Sequence, residues 1–149
     1  MSATNSFESS LLNLIFVNTN AADIGDATGL RGSTTAGSLF ISLHTSDPGE
    51  TGNQSTNETT YGSYARVAVA RSAGGWTVSG TAPTQAVNAA TVNWPAGTSG
   101  SGTVTHFGIG TASSGTGVLL LKGALSASLT VGSGVTPSAA SGQLIITLE

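Results

Sequence analysis

A chain of 149 residues is long enough for one domain with a real core, burying roughly two thirds of its unfolded surface, and short for two full ones. Charged residues make up only 7% against 38% hydrophobic, the net charge is −3 and the mean hydropathy is +0.18, which excludes wholesale disorder, a state that pairs low hydropathy with high net charge. The four basic residues, Arg31, Arg66, Arg71 and Lys122, are too scattered to neutralise a run of phosphates, and the lack of cysteine excludes a disulfide frame and thiolate metal sites, so nucleic acid is not an expected partner.

At the N-terminus, the apolar patch at residues 11–17 has no basic residue before it, which disfavours a secretory signal. No later apolar run is long enough to span a bilayer, so no membrane partner is expected. Phe7, Leu11, Leu14 and Ile15 recur at the spacing of one helical face, which predicts a short amphipathic helix over residues 7–16. Asn5 and Ser6 are the capping candidates, and Glu8 falls in the first turn, where negative charge is favoured. The apolar face must cover the chain's own β structure or dock on a neighbouring subunit, so Phe7, Leu11, Leu14 and Ile15 are the candidate assembly interface. Residues 21–37, rich in Gly, Thr and Asp without a sustained period, read as a connection. The expected organisation is a helix-and-loop assembly arm over residues 1–37 and a β-sandwich domain over residues 38–149.

From residue 38 the Ser, Thr, Asn and Gly content disfavours helix and suits strands and turns. SLFISLH, residues 38–44, alternates Leu39, Ile41 and Leu43 against Ser42 and His44, the pattern of a strand with one buried face. Asp47-Pro48-Gly49 is a strong turn signal, and the polar stretch that follows to Gly62 predicts a long exposed loop. YARVAVAR, residues 64–71, has the period of two expected of a strand, and Gly74-Gly75 permits a reversal. Further strands are predicted over residues 76–79, 86–94, 103–110, 118–123, 125–131 and 143–148. About eight strands at this spacing predict an all-β fold: an antiparallel β-sandwich, jelly-roll or immunoglobulin-like, with a short N-terminal amphipathic helix.

Reactive constellations are sparse. His44, Asp47 and Glu50 fall within one short stretch and suggest a metal or acid–base cluster, but a strand end followed by a turn explains them better, since the other histidine, His106, is far away in sequence. Asp23 and Asp26 form half of a calcium loop without its later oxygen ligands and closing Glu. There is no Gly-x-Ser-x-Gly elbow, phosphate loop or dinucleotide fingerprint, so no catalytic, metal or cofactor-binding residue is expected, and no cofactor. The sequons at Asn53 and Asn57 read as loop polarity. Trp76, Trp94, Tyr61 and Tyr64 are candidates for a sugar platform, although aromatics in strands more often fill cores.

Several stretches taken together carry a resemblance: SLHTSDPGETG (residues 42–52), YARVAVAR (64–71), NAATVNWPAGTSGSGTVTHFGIGTA (88–112), LLLKGAL (119–125) and the closing SGQLIITLE. In this order they resemble a family of small tailed-phage virion proteins described as tail-fibre-like, minor structural or head-decoration proteins, over most of residues 39–149. The resemblance implies a β-sandwich-like subunit with an N-terminal helical lead, built into the phage particle as a multimer and carrying no catalytic residues. The long stretch at residues 21–37 departs from the family look. The leading expectation is a non-enzymatic capsid decoration (cement) protein, a trimer or other small homo-oligomer that binds the major capsid protein on the outer shell and bridges capsomers. The alternative is a tail or tail-fibre component, partnered by tail proteins, with residues 51–62 presented to the host. Either way the expected location is the virion, assembled in the bacterial host cytoplasm.

Overall fold

The computed structural model describes residues 3–22, 24–25, 29–81 and 83–148. In chain order these form α1 (Asn5–Leu12), a π-helical segment (Asn13–Val17), β1 (Ser38–His44), β2 (Val67–Ala70), β3 (Trp76–Ser79), β4 (Thr84–Asn88), β5 (Val92–Asn93), β6 (Ser101–Gly110), β7 (Leu119–Gly132), β8 (Ser138–Ala139) and β9 (Ile145–Leu148). Strand accounts for 40% and helix for 9%, in antiparallel sheets with one short N-terminal helix, as the composition predicts. The sheets have the orders β2-β1-β6-β7, β3-β4-β9 and β5-β8. Two compact units result: Met1–Ser38, Ala70–Thr91 and Ala139–Glu149 form one, and Leu39–Val69 with Val92–Ser138 the other.

In the first unit α1 starts from Thr4, ahead of the predicted caps Asn5 and Ser6; its hydroxyl accepts from the Phe7 N–H at 3.4 Å. The helix widens to a π turn over Asn13–Val17, and Asn18, at φ 60°, ends it with its N–H on the Asn13 carbonyl. That widening moves the inward line away from a strict 3.6-residue period. The buried residues are Glu8, Leu12 and Phe16, spaced by four, while Phe7 is 46% exposed and Leu11, Leu14 and Ile15 are half-buried. Phe16 meets the Trp76 ring edge to face at 4.7 Å, on a sheet whose central strand β4 buries Thr84, Ala86 and Asn88. Arg71 satisfies the orphan carbonyls at the end of the helical stretch, donating from Nε to Ile15 O at 2.6 Å and from Nη2 to Leu14 O at 2.7 Å.

The strand predicted over residues 86–94 is two, β4 and β5. Asn88 accounts for the break, because its Nδ2 donates to Ala90 O two residues on and to Ala140 O, both at 2.8 Å, while its Oδ1 accepts from Leu144 N.

In the second unit β1 and β6 pair antiparallel, with Ile41 opposite Ile109, Leu43 opposite Phe107 and His44 opposite His106. The alternation of β1 places Ile41 and Leu43 on one buried face, but the other face is buried too: Ser42 and His44 are both at 0% exposure. The strands predicted over residues 118–123 and 125–131 are one, β7. Its register against β6 slips between Val104 and His106, so residues 125–128 have only Thr105 opposite them.

Candidate functional site

His44 closes β1. Its Nδ1 donates to Thr56 O at 2.8 Å, which places the proton on Nδ1 and leaves Nε2 to accept from the Ser42 hydroxyl, also at 2.8 Å. Burial holds its pKa below the usual histidine value, although the Thr56 carbonyl and Glu58 pull the other way. A hydroxyl donating to an oriented imidazole is the arrangement of an activated nucleophile. Here both side chains are sealed at 0% exposure, so no substrate reaches them in this packing, and the pair serves to seat the chain segment that covers it.

Asp47 and Glu50, the expected companions of His44, sit outside on a different group. Asp47 Oδ1 accepts from Gly49 N at 2.8 Å, and the two carboxylates flank Lys122 Nζ at 3.1 and 3.0 Å. The Gly49 N–H and then Lys122 hold the Asp47 carboxyl below the usual carboxylate range, while Glu50 and Asp47 raise the Lys122 ammonium above the ordinary lysine value. Among the described residues no three His, Cys, Asp or Glu gather in a way that could hold a metal ion. Asp23 and Asp26 lie outside the described residues.

The stretch after the Asp47 turn is not the free loop its polarity predicts. Gln54 is at 0% exposure; its Oε1 accepts from Ala112 N at 2.9 Å and its backbone N–H donates to Thr116 O at 2.9 Å. Arg66, 8% exposed, grips Glu58 with two bonds of 2.7 Å and also donates to Ala112 O at 2.9 Å and Gly115 O at 2.7 Å. Tyr64 OH donates to Glu58 Oε1 at 2.9 Å and accepts from Leu43 N at 3.0 Å. Burial drives the Tyr64 phenol far above its ordinary value, and the bond to Glu58 raises Arg66. The sequon residues are turn formers: Asn53 Oδ1 accepts from Ser55 N at 2.9 Å, and Asn57 Nδ2 donates to Asp47 O at 3.0 Å.

Sequence reasoning misses this lattice because it equates polarity with exposure. A usable signal is the scarcity of charge: of four basic residues, Arg66 and Lys122 are engaged in ion pairs and Arg71 on backbone carbonyls.

Of the aromatic candidates for a sugar platform, Trp76, Trp94 and Tyr61 are interior and Tyr64 is half-buried. Trp76 and Trp94 are 1% exposed and Tyr61 5%; Trp94 Nε1 donates to Ile41 O at 3.2 Å and Tyr61 OH to Pro95 O at 2.9 Å. The large apolar side chains that face outward are Phe7 on α1, Leu30, Val118 with Leu120 at the start of β7, and Ile145 on β9. β7 has fourteen residues and ends its sheet, whereas the outer strands β2, β3 and β9 have four each and β5 and β8 two. Val118 is 59% and Leu120 45% exposed, and Leu120 helps to line a shallow groove of about 280 Å³ together with Gly49, Glu50, Gly52, Leu119, Leu121 and Lys122. Among the described residues no helix is long and apolar enough to cross a membrane.

No curated protein matches the chain. A family model described as Podophage GP4 fiber I protein gp80 matches residues 2–147, which extends the likeness from the β-strands to the N-terminal helix and the connection after it. The chain therefore belongs to the Podophage GP4 fiber I protein gp80 family, a family of tailed-phage virion structural proteins.

Proposed function

We propose that this chain is a non-catalytic structural subunit of a podophage fibre. The observation that carries the reading is the fibre-family match across residues 2–147. It favours the tail-fibre alternative over the leading sequence expectation, a capsid decoration protein, and that expectation gives way. The interior supports a role without catalysis, because the groups with reactive potential, Ser42, His44 and Glu58, are engaged in holding the fold.

The outer side of α1 then carries an assembly contact, while its inner side packs within its own unit through Phe16 on Trp76. Phe7, 46% exposed, with half-buried Leu11, Leu14 and Ile15, meets a neighbouring tail protein of the same virion. Gold-labelled antibody against the chain, imaged on purified virions, tests the reading. Label on fibres is the expected result; label confined to the capsid shell would restore the cement role, and unlabelled particles would overturn a virion role altogether. Virions lacking the protein should lose adsorption while keeping their heat resistance.

A further inference from the structure

We infer that residues 55–57 form an acid-sensitive lid over His44, which lifts when the ring takes up a second proton while the β1–β6 ladder stays closed. Two anchors bound this stretch: Gln54 is bonded to Ala112 N and Thr116 O, and Glu58 is gripped by Arg66 and Tyr64. Between them Ser55 and Asn57 are exposed and Thr56 is half-buried, and Asn57 stands at φ 56°, a mildly strained backbone for a residue with a side chain. The lid meets the end of β1 through two carbonyls. Thr56 O accepts from His44 Nδ1 at 2.8 Å, and Asn57 O accepts from Thr45 N at 2.8 Å and Thr45 Oγ1 at 3.1 Å. Its other bonds, Ser55 Oγ to Gly115 O and Asn57 Nδ2 to Asp47 O, lie on the exposed side.

The ring beneath is set up to be neutral. Its Nε2 accepts from Ser42 Oγ at 2.8 Å, and the Ser42 side chain makes no other hydrogen bond among the described residues. A proton on Nε2 turns that hydroxyl round and leaves its hydrogen without an acceptor, and it buries a positive charge with no carboxylate free to answer it. Glu58, on the covering segment, already carries Arg66 on both oxygens and Tyr64 on one. Arg66 itself and His106, opposite on β6, are basic, and Lys122 on β7 is closed by Asp47 and Glu50. Water is then the solvent left for the charge, and lifting the lid admits it without breaking the β1–β6 ladder. Burial holds the closed ring below the ordinary histidine pKa, against the pull of the Thr56 carbonyl and Glu58, so acid favours the state in which water reaches it. This response belongs to the chain itself and does not depend on the fibre reading.

Amide hydrogen exchange of the full chain, read residue by residue from about pH 7.5 to about pH 5 and corrected for the pH dependence of exchange itself, tests the lid. The expected result is a loss of about tenfold in protection at the Thr45 amide, whose bond to Asn57 O opens with the lid. Thr45 exchange should hardly respond to low urea, because a small opening exposes little surface, whereas the β1–β6 amides should respond as for global unfolding. In His44→Gln, neutral throughout, Thr45 protection should stay constant with pH. If His44→Gln fails to fold, the pH and urea responses of the native chain decide alone. Thr45 protection that is unchanged by acid, that follows the β1–β6 amides in urea, or that keeps its pH dependence in His44→Gln overturns the lid.

Discussion

The two faces of the β1–β6 sheet are equally closed to water and are closed by opposite means. On one, Ile41, Leu43 and Ile109, all at 0% exposure, are held by contact that has no direction and grows with area. On the other, Ser42 and His44 lie under a segment fixed by directed bonds through Gln54, Glu58 and Arg66, each donor committed to a particular acceptor. The first kind of face tolerates reshaping and loses stability in proportion to what is removed. The second depends on completeness, because one missing partner leaves a buried polar group or charge unpaired.

The sharpest way to break the contrast is Glu58→Ala. It strands the Arg66 guanidinium, whose side chain is 2% exposed, and should cost about 3–5 kcal/mol in urea unfolding. Replacing both partners with apolar residues should recover only part of that, since Ala112 O and Gly115 O lose their donors as well. On the apolar face Ile41→Ala should cost about 2–4 kcal/mol and Ile41→Val about 1, a graded series. A cost for Glu58→Gln as small as that for Ile41→Val would show the polar face to be as forgiving as the apolar one.

The same contrast governs what is legible in the sequence. β1 over Ser38–His44 and β3 over Trp76–Ser79 follow from alternation and turn residues alone, because period-two burial and local turn chemistry act over a few residues. The inward line of α1 is not legible, because it runs through the charged but buried Glu8 with Leu12, whereas apolar spacing marks the neighbouring line of Phe7 and Leu11. The single long β7 is hidden for another reason: Gly123 looks like a break, yet it faces Phe107, whose ring lies 2.7 Å from where a Cβ would be, so the glycine admits the ring within a continuing strand. The Glu58–Arg66 clasp joins residues eight apart to carbonyls more than forty residues on, a closure that no local window contains. Fibre-family membership comes from the whole-chain match, and the motif resemblance had left head and tail roles open.

A smaller effect tests how tightly the covering segment lies. A Cβ added at Gly110 would run into the side chain of Gln54, and Gly110 has ordinary negative-φ backbone, so Gly110→Ala should lose about 1–3 kcal/mol through crowding alone. Combined with Gln54→Ala, the loss should fall short of the sum of the two single changes in thermal unfolding, because the second change empties the space that the first invades.

His44 gives the pH dependence of the polar face. Its folded pKa lies below the unfolded value of 6.5, chiefly through burial, so the folded chain binds this proton less readily than the unfolded chain. Its contribution to stability is therefore fully present above about pH 6.5 and is lost as pH falls from there through the lowered folded value, with a slope no steeper than ~1.4 kcal/mol per pH unit. Glu58 opposes the loss, whereas Arg66 and the facing His106 add to it. Thermal midpoints measured downward from neutral pH should fall less steeply in His44→Gln than in the native chain.

The smallest effect on the isolated chain belongs to Phe7, and it separates the two sides of α1. Phe16, at 0% exposure against Trp76, is a core residue, and Phe16→Ala should cost about 3–5 kcal/mol. Phe7, 46% exposed on the same helical stretch, gives up little burial, so Phe7→Ser should shift unfolding by no more than about 0.5 kcal/mol. If the outer side of α1 meets a neighbouring subunit, that same substitution should nevertheless deplete the protein from purified virions while its thermal midpoint stays put. Normal incorporation of Phe7→Ser would assign the outward side of α1 no part in assembly.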